Sequence, residues 1–193
     1  MPRRRAYSNH CGLAAALELV GDRWTMLVLR DLVLGPRRFA QLQAGLGSVA
    51  PDVLTQRLRS LTASGLVERA GTAYRLTSGG RGLVPAMRAL AVWGGPHLPD
   101  TPAAGSLSAH GVLTSLVLAA AGSRGGVTRT IRFEIDDEVA IVTLSPQGNQ
   151  PASGEADHAY TGTASELLAL LCAQTTPRND IERSLAGLLV PID

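Results

Sequence analysis

At 193 residues the chain is long enough for one large domain or two small ones, and its 45% hydrophobic content is ordinary for a globular protein. Its net charge of +2 conceals an asymmetry: residues 1–100 hold 13 arginines against six acids, residues 101–193 hold five against ten, and there is no lysine. Two cysteines exclude a disulfide framework, no apolar run approaches the roughly 20 residues that span a bilayer, and no apolar run follows the basic start as in a signal peptide, so a cytoplasmic protein is expected.

Residues 1–10 read as a basic polar arm, either frayed or laying Arg3, Arg4 and Arg5 on phosphates. Cys11 to Val20 predicts a helix with Leu13, Leu17 and Val20 at helical spacing, stopped by Gly21. Asp22 is a suitable N-cap for a helix from Arg23 to Leu34. Trp24, Leu27, Val28 and Leu32 form its stripe, extended by Leu34 if the helix reaches it, and Gly35-Pro36 ends it. Arg37 to about Ala44 predicts a short helix with Phe39 and Leu42 inward, and Gly45 to Ala50 the turn after it, with Leu46 beneath.

Pro51 suits the first position of the next helix, although Ala50 is a poor cap and Ser48 serves only if the helix begins earlier. Leu54, Leu58 and Leu61 fall on one face. Asp52, Thr55, Gln56 and Arg59 fall away from it, and none is needed to fill a core. Gln and Arg read adenine and guanine edges in the major groove, and Asp52 can accept from a cytosine amino group. The competing reading is an ordinary solvated helix face. Arg37 and Arg38, at the start of the preceding helix, are placed for phosphates, and so is Arg75 further on.

Gly65 closes the Pro51 helix. Leu66 to Ala70 and Ala73 to Leu76 predict two strands joined by Gly71-Thr72. Thr77 opens a helix to about Trp93, regular from near Gly82 because of Pro85, with Leu83, Met87, Leu90 and Ala91 on one face. The cluster Ser78-Gly79-Gly80-Arg81-Gly82 fails as a dinucleotide fingerprint, since Pro85 stands where the third glycine is needed, and it reads as a flexible helix start. Two short helices, a tight turn and a hairpin make a winged helix-turn-helix.

Several motifs then fall in one order: Leu19-Val20-Gly21-Asp22-Arg23-Trp24-Thr25, Leu34-Gly35-Pro36-Arg37-Arg38-Phe39, Leu54-Thr55-Gln56-Arg57-Leu58, Gly65-Leu66-Val67-Glu68-Arg69, Tyr74-Arg75-Leu76-Thr77 and Ala91-Val92-Trp93-Gly94. Over residues 8–95 the chain resembles the HxlR-type family of bacterial transcriptional regulators. The resemblance implies a homodimer whose terminal helices pack together, with two reading helices on a pseudo-palindromic duplex. It also implies that Cys11 matches a cysteine that senses electrophiles or oxidants in some members. The wing here is shorter than the family's usual one.

Gly95 to Ser108 reads as a linker. His110 to Ala121 predicts an apolar helix ended by Gly122; Thr128 to Ile135 and Val139 to Leu144 predict a hairpin around Asp136-Asp137. Pro146 to Ser153 reads as a polar loop and Ala156 to Thr161 as a third strand. Thr163 begins a helix with a Thr-Ala-Ser-Glu capping box, and Pro177 starts a last helix to about Leu188. This meander with its helices, and the run Asp157 to Leu168 above all, resembles the sterol-carrier-protein-like fold, which implies an apolar pocket between sheet and helices.

Cys11 is either a small buried residue or a sensor, and Cys172 reads as core. The four histidines show no metal-ligand spacing, and neither a hydrolase elbow nor a phosphate loop is present, so no metal, cofactor or catalytic residue is expected. The expectation is an α+β chain: a winged helix-turn-helix over 1–95, a linker over 96–108, and over 109–193 a smaller sandwich-like domain with a short antiparallel sheet, a site for a small apolar effector. It predicts a homodimeric regulator that binds double-stranded DNA. The alternative is a small-molecule carrier that uses the winged helix only to dimerise.

Overall fold

The computed structural model describes residues 10–98, 107–118 and 127–186. The basic arm, the centre of the linker, the predicted stop at Gly122 and the last residues lie outside them. The chain divides into two compact units, Met1–Leu32 with Pro36–Arg81, and Val33–Gly35 with Gly82–Asp193.

In the first unit α1 (Gly12–Val20) and α2 (Thr25–Asp31) precede a two-residue strand β1 (Arg37–Arg38). Then come α3 (Phe39–Leu46), α4 (Pro51–Ala63), the hairpin of β2 (Val67–Ala70) and β3 (Ala73–Leu76), and a single turn α5 (Ser78–Arg81). Apolar spacing becomes packing here: Val28, Leu29, Leu42, Leu54, Leu58, Leu61, Val67 and Leu76 are all buried. The helix α4 ends as its sequence asks. Gly65 takes a left-handed φ of 73°, and the amides of Gly65 and Leu66 bond back to the carbonyls of Thr62 and Leu61.

Four local expectations are corrected. Helix α2 is shorter than Arg23 to Leu34; Asp22 accepts from the Trp24 amide at 3.1 Å, bracing the turn, while Trp24 itself precedes the first helical residue. Arg37 and Arg38 are not the first turn of a helix. They pair antiparallel with Tyr74 and Ala73, making a three-stranded sheet in the order β1-β3-β2. The stretch from Thr77 to Trp93 is two helices rather than one, with the break before Pro85. Gly80 is no flexible start: it is buried, and a Cβ there would collide with the Leu66 carbonyl oxygen.

The second unit begins with α6 (Val84–Gly94) and a 3₁₀ turn over Gly95–His97. It continues with α7 (Ala109–Leu118), β4 (Arg129–Ile135), β5 (Glu138–Leu144), β6 (Gln150–Pro151), β7 (His158–Gly162), α8 (Ala164–Leu171) and α9 (Asp180–Leu185). The sheet runs β6-β5-β4-β7. It is not a pure meander: β7 lies parallel to β4, with Phe133 opposite Tyr160, and the predicted polar loop contributes β6. The last helix starts at Asp180, where the Asn179 side chain caps it by accepting from the Glu182 amide, rather than at Pro177. Thr163 and Glu166 form the predicted capping box.

Ile131, Phe133, Ile135, Val142 and Leu144 line one face of this sheet, and α7 and α8 bring Leu113, Leu116, Val117, Leu167 and Leu171 to full burial. Each of these ten is 0% exposed, so no water-sized space adjoins them. The inward face is therefore filled core among the described residues. An open depression of about 470 Å³ lies elsewhere, bordered by Arg132, Ile141, Glu155, Asp157 and Ala159. Its border mixes charged side chains with apolar ones.

Candidate nucleic-acid interface

Helix α4 presents two faces because its apolar residues recur at helical spacing. Leu54, Leu58 and Leu61 point into the unit, while Asp52, Gln56 and Arg59 are exposed and Thr55 is half-buried. Gln56 and Arg59 therefore extend long polar side chains into solvent from a helix fixed on its other side. The Thr55 hydroxyl donates to the Pro51 carbonyl at 2.7 Å, so its proton is engaged within the helix and it faces outward as an acceptor. Asp52 lies in the first turn, where the helix dipole favours a carboxylate. Ala50 supplies no side-chain cap, as expected.

The basic residues separate by environment. Arg38 is exposed, and its backbone amide donates to Gln41 at 2.9 Å, fixing the start of α3. Arg37 is only 8% exposed, so strand pairing turns it inward while leaving Arg38 accessible. Arg75, on the wing strand, is bonded to Glu68 at 2.7 Å across the hairpin, with both side chains about half exposed, so its charge is partly offset. Gly71 accommodates the two-residue wing turn with φ 61°, and Arg69 donates to its carbonyl at 3.0 Å.

One residue was missed at the sequence level. Arg57 pairs with Asp22 at 2.9 Å, the two side chains being 20% and 27% exposed. Helical geometry held the signal: at about 100° per residue, Arg57 falls on the flank of the leucine face rather than opposite it.

Cys11 is exposed, which removes the reading of it as a small buried residue. It stands just ahead of α1, where the backbone amide of Ala14, and after it that of Leu13, holds its thiol below the ordinary value. Cys172 is half-buried at the end of α8 rather than full core, and burial pushes its thiol up. Among the described residues no group of three or more His, Cys, Asp or Glu could hold a metal, and no helix is long and apolar enough to cross a membrane.

The HxlR-like helix-turn-helix family matches residues 19–102. An uncharacterised HTH-type transcriptional regulator of Mycobacterium tuberculosis is 46% identical over 91 residues, which are 44% of this chain and 57% of that protein. The chain thus spans little more than half the length of its mycobacterial relatives. The uncharacterised HTH-type transcriptional regulator YkvN of Bacillus subtilis is 34% identical over 102 residues, 49% of this chain and 86% of YkvN. The crystal structure of quinone-bound YodB from B. subtilis aligns at 30% identity over 42% of this chain and 92% of YodB, with a TM-score of 0.41.

Proposed function

The chain belongs to the HxlR-like helix-turn-helix family, and on that premise we propose that it is a sequence-specific DNA-binding transcriptional regulator acting as a homodimer in the cytoplasm. The observation that carries this reading is the outward face of α4, where Gln56 and Arg59 stand exposed on a helix anchored by Leu54, Leu58 and Leu61. In this reading Gln56 and Arg59 contact base edges, with Thr55 and Asp52 as acceptors beside them. Arg38 contacts phosphate, and Arg75 does so when it leaves Glu68. Arg37 is assigned a supporting role through the strand that presents Arg38.

Exposed apolar side chains support the homodimer. Leu13, Leu17 and Leu19 on α1, and Leu90, Val92 and Trp93 on α6, are each more than 40% exposed. Such faces are what a second copy covers. We assign Cys11 a thiol-sensing role on its exposure and its lowered thiol value. The C-terminal unit keeps a proposed sterol-carrier-like character, with any apolar effector having to enter beside a core that is already filled. The carrier alternative gains no support from that core.

Selection of bound duplexes from random DNA tests the reading directly. It predicts a recovered inverted repeat with half-sites about one helical turn apart and binding that weakens steeply with salt. Q56A with R59A should abolish enrichment while the fold persists. Recovery of no enriched sequence at low salt overturns it.

A further inference from the structure

Asp22 lies in the turn between α1 and α2, and Arg57 lies on α4, yet one carboxylate serves both places. Its Oδ1 accepts from the Trp24 amide at 3.1 Å, and its Oδ2 accepts from the Arg57 guanidinium at 2.9 Å. The first bond fixes the carboxylate to a turn; the second fixes α4 to the carboxylate. Arg57 adjoins Gln56 in sequence and lies two residues before Arg59, the pair proposed to meet base edges. A rotation of α4 about its axis would move both of those side chains and would also stretch the Arg57 contact.

The pair is partly shielded, so salt screens it less than a fully exposed ion pair. It also has an electrostatic consequence. A guanidinium on the flank of a helix that enters a groove lies within side-chain reach of backbone phosphate, and a cation there adds affinity for any sequence alike. Bound to Asp22, that cation is withheld.

We infer that Asp22 and Arg57 form a positioning and specificity device for the reading helix: the carboxylate tethers α4 by its flank and keeps Arg57 off the DNA backbone. This rests on the DNA-reading function proposed above. Neither residue touches a base; both act through the placement of Gln56 and Arg59.

The test uses the full chain, the duplex that the unsubstituted protein selects from random DNA, and a shuffled duplex of the same composition. D22N is the informative variant, because an asparagine oxygen still accepts from the Trp24 amide while the negative charge is gone. It should raise affinity for the shuffled duplex several-fold at low salt and steepen the log–log salt dependence of the proposed homodimer by about 1.8, one additional phosphate contact from each protomer. The ratio of selected to shuffled affinity should fall about tenfold, roughly 1.4 kcal/mol. R57Q removes the tether without releasing a cation, so the ratio should fall with no added slope. A lowered melting temperature with the ratio and slope both unchanged in either variant shows a purely structural pair and overturns the inference. If the unsubstituted protein selects no duplex, the DNA-reading function itself is overturned and this device with it. Selective binding that D22N leaves untouched overturns the device alone.

Discussion

Cys11 and Cys172 carry the same thiol in opposite surroundings. Cys11 is exposed beside the free amides that open α1, which favour thiolate; Cys172 is half-buried at the end of α8, where desolvation disfavours it. Iodoacetamide at about pH 7.5 should therefore alkylate Cys11 at least roughly tenfold faster than Cys172, read by peptide mapping over time. Because the Cys11 value lies below the ordinary 9.0, its reactivity should persist to lower pH than that of an unstructured cysteine. Equal rates at the two sites would remove the basis for a sensing role. The exposure of Cys11 was not legible in the sequence, since a small residue at the start of a helix suits a core equally well.

Among the elements, α4 was legible and β1 was not, and the difference is one of range. The burial of Leu54, Leu58 and Leu61 follows from spacing within thirteen residues, and the end of the helix from one glycine. Arg37 and Arg38 are a strand only because Tyr74 and Ala73 lie alongside, and no local pattern announces a partner so distant. The parallel placement of β7 was hidden for the same reason, whereas the capping box of α8 was readable because all its parts lie within four residues. T163A should cost about 1 kcal/mol in urea unfolding, the usual penalty for a lost cap. Glu166 is held below its ordinary 4.5, first by the Thr163 amide and then by its hydroxyl. Its stabilising contribution is thus present above pH 4.5 and is lost as pH falls through the lower folded value. The stability difference between the unsubstituted chain and E166Q should shrink as pH is taken down below 4.5 in the same urea series. A difference that stays constant would show that the carboxylate charge is not what the cap uses.

At the largest scale, Arg88 ties together parts of the second unit that lie far apart in the chain. This residue of α6 donates to the Asn149 carbonyl at 2.6 Å and to the Val117 carbonyl at 3.2 Å. The Asn149 amide in turn donates to the Leu116 carbonyl at 2.7 Å, so one small network holds α6, the last turn of α7 and the loop after β5. Gly148 lets the guanidinium lie against the loop backbone, with φ 118° and no Cβ in the way. R88M should cost about 2 kcal/mol, as for other hydrogen bonds from a charged donor. Amide exchange should quicken together over α6 and the loop at 146–149. Exchange that rises in α6 alone would show that the network does not act as one.

That contact also sets a timetable. The acceptors that seat α6 arrive 29 and 61 residues after Arg88 itself. On a ribosome adding residues at about 5–20 per second, domains mature as their parts emerge. The three-stranded sheet and α4 are complete in the nascent chain by Leu76, seconds before Asn149 has been synthesised. The helix with exposed Leu90, Val92 and Trp93 therefore waits for its seat, and the homodimer proposed above, if built through it, belongs to the end of synthesis rather than its middle.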